Sequence, residues 1–302
     1  MDDLSFANSG PVQPSLALSA APGGTYGATK LKDTVTLANG INPQGSITFN
    51  LYNNTGMKVD IESVAVNGNG KYTSPNGYTP IAVGVYQWVV TYSGDSNNNG
   101  VSTTYGSEPT TITPAPLTVT ANNATKVYGS NNPVFTGTVT GLVNGDSDTP
   151  TFSTTATAGS AVGNYVIVPS LTDPNYTITY VPGTLTITPA PLTITADDQT
   201  KVYGEEPPAL TASYSGFVNG DTAASLTTPP TLSTTATAAS PAGTYGIIAA
   251  GAVDSNYSIT YVPGVMTVTA APLTVTANDA TKVSAKPTPP SPGTIRPKFQ
   301  GG

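Results

Sequence analysis

A seven-residue phrase, Ala-Pro-Leu-Thr-(Val/Ile)-Thr-Ala, occurs three times, at 115–121, 190–196 and 271–277. At one fixed offset after each copy comes Thr-Lys-Val, at Thr125-Lys126-Val127, Thr200-Lys201-Val202 and Thr281-Lys282-Val283. The first two continue into Tyr-Gly, at Tyr128-Gly129 and Tyr203-Gly204; the third runs into Ser284-Ala285 and a proline-rich tail. The period is about 75 to 80 residues, too long for a solenoid, whose units run to roughly 20–50. It suits small domains strung on one chain. The chain therefore divides into an N-terminal arm at 1–14, a segment of different character at 15–113, two complete repeats at 114–188 and 189–269, and a partial third repeat with its tail at 270–302.

Residues 15–113 are strand-like throughout. Val35-Thr36-Leu37, Ser46–Leu51 and Val85–Tyr92 are rich in β-branched and aromatic residues and are bounded by turn formers. Ile47, Phe49 and Leu51 fall on one face by period-two alternation, as do Tyr86, Trp88 and Val90. Trp88, the one tryptophan of the chain, is expected in the core. Asn-Gly pairs at Asn39, Asn67, Asn69 and Asn76 mark turns that want positive φ. Short strands at this spacing, with no helical periodicity, predict an antiparallel sandwich.

Each repeat opens with its Leu-Thr-(Val/Ile)-Thr strand, with Leu117 and Val119 pointing one way. Next come Lys-Val-Tyr-Gly and then Val-Asn-Gly-Asp, at Val143–Asp146 and Val218–Asp221. The Asp or the residue after it could cap one helical turn, for which Ala223-Ala224-Ser225-Leu226 is suitable. Gly163-Asn164-Tyr165 and Gly243-Thr244-Tyr245 start a further strand. Each repeat is expected to close with a hairpin, 176–188 in the first, turning at Pro182-Gly183 or Pro263-Gly264 with glycine at positive φ. On that expectation Tyr176, Ile178 and Tyr180 share a face with Leu185 and Ile187. Pro-Ala-Pro at 114–116 and 189–191 predicts stiff polyproline joints and a rod-like array.

Two resemblances follow from these motifs. The segment carrying Gly40–Tyr52, Gly68–Ser74 and Gly84–Asn98 resembles a bacterial Ig-like domain repeat of large surface proteins, without the cysteine pair such domains often carry. The ordered set Leu-Thr-Val-Thr-Ala, Lys-Val-Tyr-Gly, Val-Asn-Gly-Asp, Asn-Tyr and Gly-Thr-Leu-Thr-Ile-Thr resembles the MBG domain of the Tyr-Gly type. That family recurs in tandem in large extracellular adhesins. The resemblance implies an all-β chain at the cell surface, an Ig-like sandwich followed by two small MBG modules, with no known catalytic set.

Composition narrows the chemistry. A net charge of −7 and the lack of any Lys/Arg cluster argue against nucleic acid and against electrostatic attachment to anionic lipid. No apolar run reaches the ~20 residues that span a bilayer. With no His and no Cys, the commonest acid/base residue and the thiolate ligands are both missing. Abundant Ser and Thr have no histidine to activate them, and no Gly-x-Ser-x-Gly elbow is present; a non-enzymatic protein is expected. Met1-Asp2-Asp3 opens without the marks of a signal peptide. That fits a processed chain, a fragment of a longer surface protein, or a protein assembled in a cytoplasm such as a virion component.

Four candidate features remain. Lys126 and Lys201, at matching places, could each cross-link to an asparagine beside a buried carboxylate, or could be edge-strand lysines that discourage sheet pairing. The acidic turns at Asp95, Asp146, Asp148, Asp173, Asp197-Asp198 and Asp254 could offer oxygens to Ca²⁺, or serve as ordinary turn formers. Tyr72, Tyr78, Tyr86 and Tyr105 could stack on surface glycans or pack internally. Leu273, Val275 and Thr276, in the truncated third repeat, could complete a sheet in a neighbouring copy and build a filament. Asn53, Asn123, Asn175 and Asn256 head glycosylation sequons, a number that chance explains in so Asn- and Thr-rich a chain. The expected roles are thus a stalk or fibre component, a self-joining filament subunit, a carbohydrate-binding module or a virion decoration protein.

Overall fold

The computed structural model describes residues 10–19 and 21–288. Contacts divide the chain into two compact units. One holds the residues up to Ile194 together with 214–230 and 251–260; the other holds 195–213, 231–250 and the residues from Tyr261 on. The fold is all-β, with a single 3₁₀ turn among the described residues, Ala223–Ser225. The Ser225 hydroxyl accepts the Thr222 N–H at 3.1 Å, so the residue after Asp221 starts this turn as expected.

The first unit opens with nine strands: β1 (Ser15–Ser19), β2 (Gly24–Thr25), β3 (Thr34–Ala38), β4 (Ser46–Tyr52), β5 (Lys58–Ala65), β6 (Gly70–Thr73), β7 (Gly84–Tyr92), β8 (Val101–Ser102) and β9 (Pro109–Thr113). One sheet runs β1-β3-β6; the other runs β2-β9-β7-β4-β5, with β8 also on β7. The alternation that marked these strands decides their inward faces. Ile47, Phe49 and Leu51 are buried on β4, and Tyr86, Trp88, Val90 and Tyr92 on β7, facing Val35 and Leu37 of the other sheet in one core. The Trp88 and Phe49 rings meet edge to face at 6.3 Å. All pairs are antiparallel except β2·β9, which is parallel. Asn39 takes positive φ (62°) in its Asn-Gly pair, whereas the glycine does so at Gly68, Gly70 and Gly77. Of the expected arm, residues 1–9 lie outside the described residues. Residues 10–14 lie along the turn after β7, where the Val12 N–H donates to Asn97 O and the Asn99 N–H to Val12 O.

Next come β10 (Ala115–Ala121), β11 (Ala124–Val127), β12 (Gly137–Thr140), β13 (Thr151–Ser153), β14 (Gly163–Ser170), β15 (Tyr176–Val181) and β16 (Gly183–Thr188). They form two sheets, β12-β10-β15 and β11-β16-β14-β13. Leu117 and Val119 point into the core that began in the first sandwich; Ile167, Leu185 and Ile187 are buried beneath the second sheet.

The expected closing hairpin does not form. β15 pairs in parallel with β10, and β16 pairs antiparallel with β14 and in parallel with β11. Pro182 therefore carries the chain from one sheet to the other, and Tyr180 lies 44% exposed rather than on a shared face with Leu185. Gly183 is not among the residues with positive φ. Glycine is required there for room: a Cβ would lie 2.7 Å from Asn122 O and 2.8 Å from Ala121 O.

The polyproline joint is also replaced by sheet. Only Pro114 separates β9 from β10, and Ala115 is buried, its N–H donating to Asn175 O at 2.9 Å. Alternate N–H groups of a strand face opposite neighbours, so the absent N–H of Pro116 falls on the β12 side. Pairing with β12 begins only at Thr118, and the proline therefore costs no ladder bond there.

The remaining strands are β17 (Ala190–Ala196), β18 (Gln199–Val202), β19 (Ala212–Ser215), β20 (Thr231–Thr234), β21 (Gly243–Ala250), β22 (Tyr257–Val262) and β23 (Gly264–Thr269). Their sheet orders repeat the preceding pair: β19-β17-β22 and β18-β23-β21-β20. The second sheet belongs to the second unit, where Ile247, Ala249, Met266 and Val268 are buried. Pro263-Gly264 repeats the switch between sheets, and a Cβ on Gly264 would meet Ala196 O at 2.3 Å. After Thr269 the described chain, to residue 288, forms no strand, and Leu273 and Val275 are 87% and 85% exposed. Residues 289–302 of the expected tail lie outside the described residues.

Candidate functional site

The polar side chains of the repeat motifs converge on one recurring arrangement, a joint. In each Val-Asn-Gly-Asp the Asn and Gly both take positive φ, 56° and 80° at Asn144-Gly145 and the same at Asn219-Gly220. The Asp N–H returns to the Val carbonyl, Asp146 to Val143 and Asp221 to Val218, both at 2.9 Å. Two consecutive residues at positive φ make this a type I′-like turn. The two Asp residues are thus turn ends, not helix caps.

Their carboxylates clasp tyrosines. Asp146 Oδ2 accepts the Tyr176 hydroxyl at 2.6 Å and the Tyr26 hydroxyl at 3.0 Å. Asp221 Oδ2 accepts the Tyr257 hydroxyl at 2.7 Å and the Tyr128 hydroxyl at 3.1 Å. The rings meet edge to face at 5.6 Å in both clasps, Tyr26 on Tyr176 and Tyr128 on Tyr257. Beside each clasp an asparagine Oδ1 accepts a main-chain N–H, Asn175 from Val83 and Asn256 from Val162, each at 3.0 Å. Burial, then the Asp146 carboxylate, pushes the Tyr176 phenol up to about 12. Burial likewise pushes Tyr257 up to about 12, with Asp221 adding to it. These tyrosines stay protonated and donate across the whole physiological range. Hydrogen bonds to a charged group are worth ~1.5–3 kcal/mol each.

The sequence showed Tyr128-Gly129 and Val-Asn-Gly-Asp as repeated signals but not that they meet. Tyr26-Gly27 was missed because Lys-Val does not precede it. The findable signal was the bare Tyr-Gly dipeptide ahead of the first Val-Asn-Gly-Asp.

Lys126 and Lys201 are buried, contrary to an exposed edge lysine, although β11 and β18 are edge strands. Lys126 Nζ donates to Thr157 O at 2.6 Å and Ser130 O at 2.9 Å. Lys201 Nζ donates to Glu205 O at 3.0 Å. Burial holds the Lys126 ammonium below its usual range. Each lysine therefore ties its strand to the following loop through main-chain carbonyls.

Apart from Asp148, the acidic turns use their oxygens internally. Asp95 accepts N–H groups from Gln44 and Asn97 and the Asn98 amide, which lower its carboxyl to about 2. Asp173 and Asp254 accept the N–H two residues on, at 2.7 and 2.8 Å. Asp197 accepts from Ser213 Oγ, and Asp198 from the Val265 N–H. Asp148 Oδ2 is buried with no hydrogen-bond partner. Among the described residues no three His, Cys, Asp or Glu side chains gather as a metal site. Of the candidate glycan-stacking tyrosines, Tyr86 is buried and lies 6.0 Å from Tyr78. The Tyr72 hydroxyl donates to Gly68 O. Tyr105 is 53% exposed and meets Tyr52 edge to face at 5.5 Å.

A carboxyl pair unmarked in the sequence lies in the first sandwich. Asp33 and Glu108 are both buried. Asp33 Oδ1 accepts the Thr34 N–H and Glu108 Oε1 the Ala21 N–H. Burial raises Asp33 to about 6; burial and then the charge of Asp33 raise Glu108 to about 7. Among the described residues Asp33 Oδ2 and Glu108 Oε2 have no other donor, so a proton held between the two carboxyls satisfies both.

The clasp defines a class: an all-β chain of repeated modules, each delivering a turn carboxylate and an Asn-Tyr pair to the Tyr-Gly corner before it. Residues 117–186 and 192–267 each match the MBG domain (YGX type). The chain thus carries two tandem MBG domains of the Tyr-Gly type, and Tyr128-Gly129 and Tyr203-Gly204 lie inside the matched residues. No curated protein matches the chain.

Proposed function

We propose that this chain is a non-enzymatic structural segment of a bacterial surface protein, working as an extracellular stalk or adhesin spacer. In this reading residues 15–113 are an Ig-like module leading into the MBG pair. The observation that carries it is the repeated clasp. Its tyrosines, asparagines and aspartates, the groups most suited to gripping a ligand, are spent on holding successive modules together. Two MBG matches in tandem support the surface assignment. The test is accessibility labelling of intact cells of the native source with an antibody to residues 15–113. Labelling without permeabilisation is expected, and signal only after lysis would overturn the proposal.

A second reading has its own observation. Residues 271–277 repeat a module's first strand yet lie exposed and form no strand. In this reading they complete a sheet in a neighbouring copy through Leu273, Val275 and Thr276, giving an open filament. Deleting residues 271–302 decides it: concentration-dependent assemblies that survive the deletion exclude strand exchange.

A further inference from the structure

Among the described residues the Tyr-Gly corner occurs three times, and only the first two are covered by an incoming turn. All three are framed alike. The tyrosine N–H donates at 2.9 Å to the threonine that ends the neighbouring strand: Tyr26 to Thr113, Tyr128 to Thr188, Tyr203 to Thr269. The glycines all take positive φ, 72°, 85° and 93° at Gly27, Gly129 and Gly204. The loop carbonyl that receives the glycine N–H also recurs, Ala158 O for Gly129 and Ala238 O for Gly204.

The contrast lies in what covers them. A Cβ on Gly27 would sit 2.2 Å from the Val143 side chain, and one on Gly129 would sit 2.4 Å from Val218; at Gly204 nothing lies within 4 Å. Tyr26 and Tyr128 are 3% and 7% exposed, Tyr203 49%. The third corner has the shape of the other two without the incoming turn.

We propose that Tyr203-Gly204 is a docking socket for one further MBG module, entering through its Val-Asn-Gly-Asp turn and its Asn-Tyr pair. The chemistry of the occupant is set by the filled copies. A valine covers the bare glycine face, a carboxylate accepts the tyrosine hydroxyl, a second tyrosine meets the ring edge to face, and an asparagine amide accepts a loop N–H. A second copy of this chain does not meet that description, because both of its turns already sit in their own sockets. Residues 271–277 supply the register for the fitting module: Ala271 follows Thr269 at the spacing at which Ala190 follows Thr188. The proposal does not depend on where the protein resides, so it stands or falls apart from the surface assignment.

The experiment replaces residues 271–302 by a second copy of residues 190–288 and maps tyrosine nitration by mass spectrometry. In the parent chain Tyr203 is expected to react while Tyr26 and Tyr128 resist. In the extended chain nitration of Tyr203 falls by about tenfold or more, and Asp221→Ala placed in the added copy alone restores it. Tyr203 reacting equally in parent and extended chains overturns the proposal. An added module that stays unfolded overturns it as well, because that same sequence folds on the Tyr128 socket.

Discussion

Single side chains carry the joint, and their removal has calculable effects. In Asp146→Ala two tyrosine hydroxyls lose their acceptor in a buried place, where an unsatisfied polar group costs ~1–3 kcal/mol. We expect Asp146→Ala to lower the unfolding free energy by about 2–4 kcal/mol and Asp221→Ala by a similar amount, read by urea denaturation. Trp88→Ala removes the largest buried side chain of the first sandwich and should cost about 3–5 kcal/mol there. The Asp33–Glu108 pair acts through pH. Raised carboxyl pKa values mean that the folded state still holds protons that the unfolded state has released. Between the ordinary carboxylate range and about pH 7, folding therefore takes up protons, and stability falls as pH rises. Below that window both states are protonated and the penalty is absent. The Trp88 fluorescence melt should thus move to lower temperature from pH 5 to pH 8, and Asp33→Asn should flatten the change. An unchanged slope in Asp33→Asn would place the pH dependence elsewhere.

At the scale of strands and turns, the sequence was legible where one residue pattern has one structural meaning. Alternation marked β4, β7 and β10 and their buried faces, including Trp88 and Leu117. It could not name the neighbour of each strand, because period two specifies a face and not a partner. Pro182-Gly183 shows the limit. The dipeptide suits a tight turn, and the same glycine also suits close passage beside the Ala121 and Asn122 carbonyls. Only the pairing of β15 with β10 distinguishes the two. The joint was half visible for a related reason: its motifs recur in order, but they act on the module before them. Gly183→Ala tests the passage directly. A Cβ placed 2.7 Å from Asn122 O forces backbone to move, and a loss of about 1–3 kcal/mol is expected. A shift within about 0.5 kcal/mol would mean that the crossing accommodates the methyl group.

For the whole molecule, exposure sets the order of attack. Residues 271–288 are exposed and form no strand, whereas Lys126 and Lys201 are buried with their ammonium groups on main-chain carbonyls. Of the lysines among the described residues, brief trypsin treatment should cut after Lys282 first and leave a product of residues 1–282. Early cleavage at Lys126 or Lys201 would contradict the burial of those strands.

Parallel closure also has a consequence in time. In each MBG module the opening strand pairs with one made about 60 residues later, and a ribosome adding ~5–20 residues per second needs several seconds to supply it. Until then β10 emerges with one flank vacant, and Tyr26 waits for Asp146 and Tyr176 to arrive. The first sandwich and the first repeat are therefore each finished by the repeat that follows them, and their maturation runs one module behind translation.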